Sequence, residues 1–284
     1  MIVARTIAEL RDLVRSARAR GDRIGLVPTM GALHAGHLSL IAHANARCEF
    51  VIVSLFVNPS QFNEVADLER YPRDEARDAS LVANAGSQLL FAPSVAEVYP
   101  DGFVTTVEVL TLAEPLEGVV RGTAHFRGVA TVVTKLLNMA QPDEAFFGQK
   151  DAQQALIIRR LVRDLDMPIA ITICPTVRES DGLAMSSRNV LLDEHSRRRA
   201  PALSQALFAT ELAIVSGERS TAAALAKGNA RLTAAGVAPE YFVAVSAETL
   251  ESQPTLSGDV LVAIAARFGA VRLIDNVVVT VGPR

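Results

Sequence analysis

The apolar residues of this chain fall into short continuous runs that alternate with stretches of helical spacing. Thr6 and Glu9 have the spacing of a capping box, and Ile7, Leu10, Val14 and Ala17 line one helical face before Gly21. This predicts an opening helix that stops at Gly21. The run Ile24-Gly25-Leu26-Val27 and the nearly unbroken apolar run over residues 50–57 read as strands buried on both faces. Between them Leu38, Ile41, Ala42 and Ala44 predict a helix to about Arg47, so the three make a βαβ unit. The alternation continues with a polar helix over 67–85, a strand over 88–92, an extended piece over 104–109 and a helix over 129–139. A strand over 145–147, a helix through Leu165 and a strand over 169–174 complete it.

Residues 1–175 therefore predict an α/β domain with a doubly wound, Rossmann-like parallel sheet. After Pro175 the composition shifts. A loop-like ESDGLAMSSRN segment precedes Ala-rich amphipathic helices over 196–215 and 221–235, then strands over 241–245, 260–265 and 271–279. Helices grouped before strands predict a smaller C-terminal α+β domain over residues 176–284.

The turn between the first strand and its helix carries the densest chemistry. It reads PTMGALHAGHL over residues 28–38, with His34 and His37 three apart. A helix start offers backbone N–H groups and a positive dipole end to an anion, and Gly31 and Gly36 let a ligand approach the backbone. Three readings of the histidine pair stay open on spacing alone: structural histidines at a helix start, a zinc site completed from elsewhere, or a grip on nucleotide phosphates.

Composition narrows the classes. The 284-residue chain is half hydrophobic and has a net charge of −3, which gives no electrostatic case for nucleic acid or an anionic membrane. No apolar run approaches the ~18 residues of a membrane span. The start has acidic residues and no apolar core of a signal peptide, and the only cysteines, Cys48 and Cys174, lie in apolar surroundings. A cytoplasmic protein with no structural metal is the expectation. Neither GxGxxG nor GxxxxGK(S/T) occurs, which argues against a dehydrogenase or ATPase of those types.

Four further clusters stand out. Gly148-Gln149-Lys150-Asp151, with Gln153 and Gln154, puts a lysine at a strand-to-helix turn, where its ammonium can meet phosphate. Met185-Ser186-Ser187-Arg188 offers two hydroxyls and a guanidinium in one loop. Asn58 with Gln61, and His125 within residues 121–127, are the other two. Each has an ordinary surface reading as well.

Taken together these segments resemble the pantothenate synthetase family. HAGH is the His-x-Gly-His signature of the nucleotidyltransferase superfamily that includes class I aminoacyl-tRNA synthetases. LVPTMGALHAGHLSLI, SLFVNPSQFN, DLERYPR, FFGQKDAQQ and DGLAMSSRN resemble that family's segments, in order, through nearly the whole chain. The last is similar to the synthetases' KMSKS loop. The resemblance implies a ligase that joins D-pantoate to β-alanine with ATP and Mg²⁺ through a pantoyl adenylate, releasing AMP and pyrophosphate. It implies that Met30, His34, Gly36, His37, Gly148, Lys150, Asp151, Met185, Ser186, Ser187 and Arg188 serve ATP, with His34, His37 and Lys150 catalytic. It also implies that Gln61 and Gln154 bracket pantoate, joined by Met30, Asn58 and His125, and that the protein is a homodimer whose 176–284 domain acts as a lid. The pattern departs at Arg121, four residues before His125 where the family has three and a proline, so no role carries over to Arg121. The alternative is another small-molecule nucleotidyltransferase with the same histidine signature.

Overall fold

The protein, seen in a computed structural model, is described over residues 1–62 and 65–282. Asn63, which ends the SLFVNPSQFN segment, and Pro283 and Arg284 lie outside the described residues. The chain divides into two compact units. One comprises Met1–Gly148 and Gln153–Pro175, the other Gln149–Ala152 and Thr176–Arg284.

The first unit is built on six parallel strands: β1 (Ile2–Ala4), β2 (Ile24–Thr29), β3 (Phe50–Leu55), β4 (Leu89–Phe91), β5 (Glu144–Gly148) and β6 (Ala170–Cys174). Their order is β1-β4-β3-β2-β5-β6. Side chains on a strand alternate between faces, and here both faces are covered. Ile24 and Leu26, Phe50 and Ile52, Leu89 and Phe91, and Ala145 and Phe147 enter one core. Val27, Val51 and Val53, Leu90 and Phe146 enter the other. The helices Ile7–Ala19, Thr123–Ala140 and Ala152–Asp164 feed the first core with Leu10, Val133, Leu137, Ile158 and Leu161. Helices Ala35–Asn45 and Glu75–Asn84 cover the second with Ile41, Ala44 and Val82. From β2 the chain winds outward to β3 and β4, then crosses over to β5 and β6. The order thus reverses between β2 and β5, and in such sheets ligands bind beyond the carboxyl ends at the reversal.

In the second unit, β7 (Pro239–Ser246), β8 (Gly258–Phe268) and β9 (Val271–Val281) form an antiparallel sheet. Val260, Val262, Ile264 and Ala266 of β8 share a core with Leu203, Leu207 and Ile214 of the helix Ala202–Val215 and Leu232 of the helix Thr221–Ala234. Among the described residues no helix is long and apolar enough to cross a membrane.

Several local expectations shift. The Thr6–Glu9 capping box forms, but a short strand, β1, precedes it. The helix expected over 67–85 is two, Val65–Arg70 and Glu75–Asn84, because Pro72 lacks the N–H a continuous helix requires. Pro201 likewise divides the 196–215 stretch into Glu194–Arg199 and Ala202–Val215. The helix expected from 129 begins at Thr123, which puts His125 in its first turn. Residues 104–109 form no ladder; Val107 N instead donates to Thr131 Oγ1 at 3.0 Å.

At the start of β5 the fully buried carboxylate of Glu144 accepts from Arg23 Nη2 at 2.9 Å, Arg47 Nε at 2.7 Å and the Thr172 hydroxyl. Burial alone would raise its pKa, but the hydrogen bonds from Thr172, Arg47 and Arg23 outweigh burial and hold the carboxyl below its ordinary value. A lowered carboxyl pKa adds stability above the unfolded value of roughly 4.3, and that stability disappears as pH falls through the folded value. Both arginines are half exposed and partly screened, so Glu144→Gln should cost about 1–2 kcal/mol at neutral pH. Urea unfolding of both proteins across the acid range checks this: the gap should be full near pH 7 and close below roughly pH 4. A gap independent of pH would show that packing, not charge, is lost.

Candidate active site

The chain leaves β2 at Thr29 and reverses through Gly31 and Ala32, both at positive φ (88° and 52°). Such a reversal exposes successive amides inside the protein, and each must find an acceptor. Asp78, 1% exposed on the helix Glu75–Asn84, supplies two: its carboxylate accepts from Ala32 N at 2.8 Å and Leu33 N at 2.9 Å. These two turn amides, which precede the helix start, are thus engaged by an internal anion.

His34 is the N-cap of the helix Ala35–Asn45 rather than a member of its first turn. Its Nδ1 accepts from Gly36 N at 3.1 Å, and His34 N donates in return to His37 Nδ1 at 3.3 Å. Two histidines thus form a reciprocal capping box, their ring centroids 4.2 Å apart. The glycine between them is required by space: a Cβ on Gly36 would stand 2.8 Å from His34 Cε1. An imidazole nitrogen that accepts carries no proton, so both rings are neutral and bear their proton on Nε2, a donor suited to anionic oxygen. Among the described residues no group of three metal-ligating side chains occurs.

Met30, Asn58, Gln61 and His125 come together in the same unit. Asn58, 1% exposed, caps the turn Pro59–Gln61. Its Oδ1 accepts from Ser60 N (3.3 Å), Ser60 Oγ (2.9 Å) and Tyr99 Oη (2.9 Å). Its Nδ2 donates to Gln61 Oε1 at 3.0 Å and to Gly128 O at 3.2 Å. Gln61 Nε2 lies 2.8 Å from Met30 Sδ, and His125 Nδ1 lies 2.7 Å from Gln61 O. The helix Thr123–Ala140 approaches this turn so closely that a Cβ on Gly128 would stand 2.3 Å from Ser60 O. Burial raises the Tyr99 hydroxyl pKa, against a smaller opposing effect of Ser60. Lys135, 4.4 Å above the Phe103 ring, has its pKa lowered by burial.

The remaining first-unit candidates separate. Arg121 pairs with Glu117 at 3.1 Å inside the short helix Glu117–Arg121. Gln153 is buried and structural: Nε2 donates to Leu112 O and Pro115 O, both at 2.8 Å, and Oε1 accepts from Glu117 N at 3.0 Å. Gln154, next along the helix Ala152–Asp164, is partly exposed.

In the second unit Lys150 lies in the turn Gln149–Asp151, two residues past the end of β5, with Nζ 3.8 Å from the Asp151 carboxylate. The 185–188 loop is shaped by its own backbone: Met185 N donates to Val177 O at 2.9 Å, and Arg188 N to Ser186 Oγ at 3.2 Å. Ser187 and Arg188 are exposed, while Met185 and Ser186 are partly covered. Sequence reasoning missed Asp78, Tyr99 and Ser60. Asp78 carried no signal, being one acid in a polar helix, whereas Ser60 lies inside a segment already singled out.

The family model for pantoate-beta-alanine ligase matches residues 2–278. Pantothenate synthetase of Cereibacter sphaeroides is 51% identical over 276 residues, covering 97% of this chain and 98% of that protein. That of Moorella thermoacetica is 51% identical over 282 residues, covering 99% of each. Among solved structures, pantothenate synthetase from Thermus thermophilus superposes with a TM-score of 0.91 at 45% identity, covering all of both chains. Pantoate-beta-alanine ligase from Francisella tularensis, complexed with beta-gamma ATP and beta-alanine, gives 0.76 at 35% identity, covering 98% of this chain and 97% of that one. With sequence, length and fold all matched end to end, the chain belongs to the pantoate–β-alanine ligase family.

Proposed function

We propose that the chain joins D-pantoate to β-alanine in two steps through a pantoyl adenylate. The pantoate carboxylate attacks the α-phosphorus of ATP and pyrophosphate leaves. The neutral amine of β-alanine then attacks the acyl carbon, AMP leaves, and the amine proton is released. The observation that carries this reading is the histidine capping box, which holds His34 and His37 together just beyond β2, next to the reversal of strand order in a parallel sheet. The first step gathers negative charge on phosphoryl oxygens, and donors held in place beforehand stabilise such charge without reorganising.

In this reading His34, His37 and Lys150 stabilise the adenylation transition state. Met30, Gly36, Gly148 and Asp151 shape the ATP site, and Met185, Ser186, Ser187 and Arg188 grip its phosphates. Gln61 and Gln154 hold pantoate, with Met30 and His125 beside Gln61. Asn58 acts through Gln61, since its amide is buried and bonded on both sides. In this reading Mg²⁺ enters with ATP as the counter-ion of its phosphates. The same reading makes residues 1–175 the ATP- and pantoate-binding domain and 176–284 the lid domain. It makes the protein a cytoplasmic homodimer; both cysteines are free and buried, as a reducing compartment allows.

Four outcomes test this. Lys150→Ala should stay folded by circular dichroism yet lose at least roughly 10²-fold in adenylation, the scale for one preorganised charge stabiliser. The protein should exchange labelled pyrophosphate into ATP with MgATP and pantoate alone, forming pantothenate and AMP only when β-alanine is added. Gln61→Ala should weaken that exchange while ATP binding by calorimetry is kept; exchange supported equally by unrelated small carboxylates would refute the assignment. Sedimentation at micromolar concentration should give twice the mass of one chain, and a monomer would remove the dimer.

A further inference from the structure

The side chain of Asn276 is 4% exposed in the middle of β9, opposite Ala263 in an eleven-residue pairing with β8. A primary amide in such a place is costly unless every polar atom is bonded. Both Nδ2 hydrogens leave the sheet for a turn more than a hundred residues away in sequence. They reach Gln149 O and Lys150 O, each at 2.9 Å, and Oδ1 accepts from Gln149 Nε2 at 2.7 Å. Those two carbonyls belong to the peptide groups on either side of the Lys150 Cα. Holding both planes sets the backbone dihedrals of Lys150, and with them the direction in which its side chain starts.

The preceding residue does the corresponding work on another segment. Asp275, 3% exposed, accepts from Arg178 Nη1 at 2.6 Å and Nη2 at 3.1 Å, and from Asn276 N at 2.8 Å. Burial pushes the Asp275 carboxyl up, and Arg178 pulls against it. Arg178 Nη1 also donates to Gly182 O at 3.1 Å, and Arg178 forms a bridge with Ala184 immediately before Met185. One dipeptide on a long strand, paired along its length with β8, therefore anchors both the lysine turn and the base of the 185–188 loop.

We propose that Asn276 is a positioning residue for the ligase reaction, acting by clamping the peptide groups that flank Lys150, with Asp275 holding the base of the serine–arginine loop through Arg178. This rests on the role given above to Lys150. Misplacing a catalytic group by an ångström can cost about 10²-fold in rate. Asn276→Ala should therefore lower kcat for pantoate-dependent pyrophosphate exchange by roughly 10- to 100-fold, with little change in KM for pantoate.

A double-mutant cycle with Lys150→Ala, run on full-length protein with thermal unfolding monitored, decides the matter. If Asn276 acts through Lys150, then Asn276→Ala costs nothing further once the lysine is gone. If the two losses multiply, or if Asn276→Ala turns over normally, the proposal is overturned while the role of Lys150 stands. If Lys150→Ala itself turns over normally, the lysine assignment falls and this one with it. Should Asn276→Ala fail to fold, Asn276→Ser keeps one donor and enters the same cycle. It should show a smaller kcat loss that again vanishes beside Lys150→Ala; a loss that persists there overturns the proposal equally.

Discussion

A sharp reversal at the end of a buried strand leaves amides without a ladder partner, and this chain answers them with three side chains. Asp78 takes the amides of Ala32 and Leu33, and the two histidines take those of Gly36 and His34. Every later feature of the histidine turn follows from that requirement. Because each ring accepts through Nδ1, protonating that atom would set one N–H against another and undo the cap. The fold therefore selects the neutral tautomer that leaves a proton on Nε2. The spacing of the signature is equally mechanical: a box needs its partners three apart, and the ring of the first lies over the glycine between them.

Legibility divided along sequence distance. The period-2 and period-3.6 patterns are local, so β2, β3 and the opening helix with its Thr6–Glu9 box were readable, as was the strand–turn–helix holding His34 and His37. The two proline breaks were readable in principle, since Pro72 and Pro201 sit inside otherwise helical spacing. β1 was not, being a three-residue strand held by pairing with β4, 87 residues away in register. Nor were the residues that hold the site. Asp78 lies 45 or 46 residues from the amides it binds, and Asn276 lies 126 and 127 from the carbonyls it binds. In one dimension each is an ordinary polar residue, and only burial distinguishes it from a solvated one. The resemblance to a known family implied the groups that would face substrate, but not those that hold them.

The groups proposed to face substrate and the groups that hold them differ in kind. Lys150, Arg188 and Gln61 have long side chains, and immobilising such a chain costs up to about 2 kcal/mol of rotamer freedom. They must also keep polar atoms available to a ligand, so they cannot be fixed by saturating their own hydrogen bonds. Asp78, Asn58 and Asn276 are short, buried to within 4% and bonded at both ends, and they act on backbone or on one end of a neighbour. A two-torsion side chain saturated with bonds loses little further entropy when ligand arrives. Placing rigidity in short buried amides and carboxylates, and charge in long chains rooted beside them, therefore gives preorganisation without saturating the long chains' own polar atoms. That division also fits the exposure of Ser187 and Arg188: the loop base is fixed by Arg178 and Asp275, while the two groups proposed to grip phosphate stay exposed.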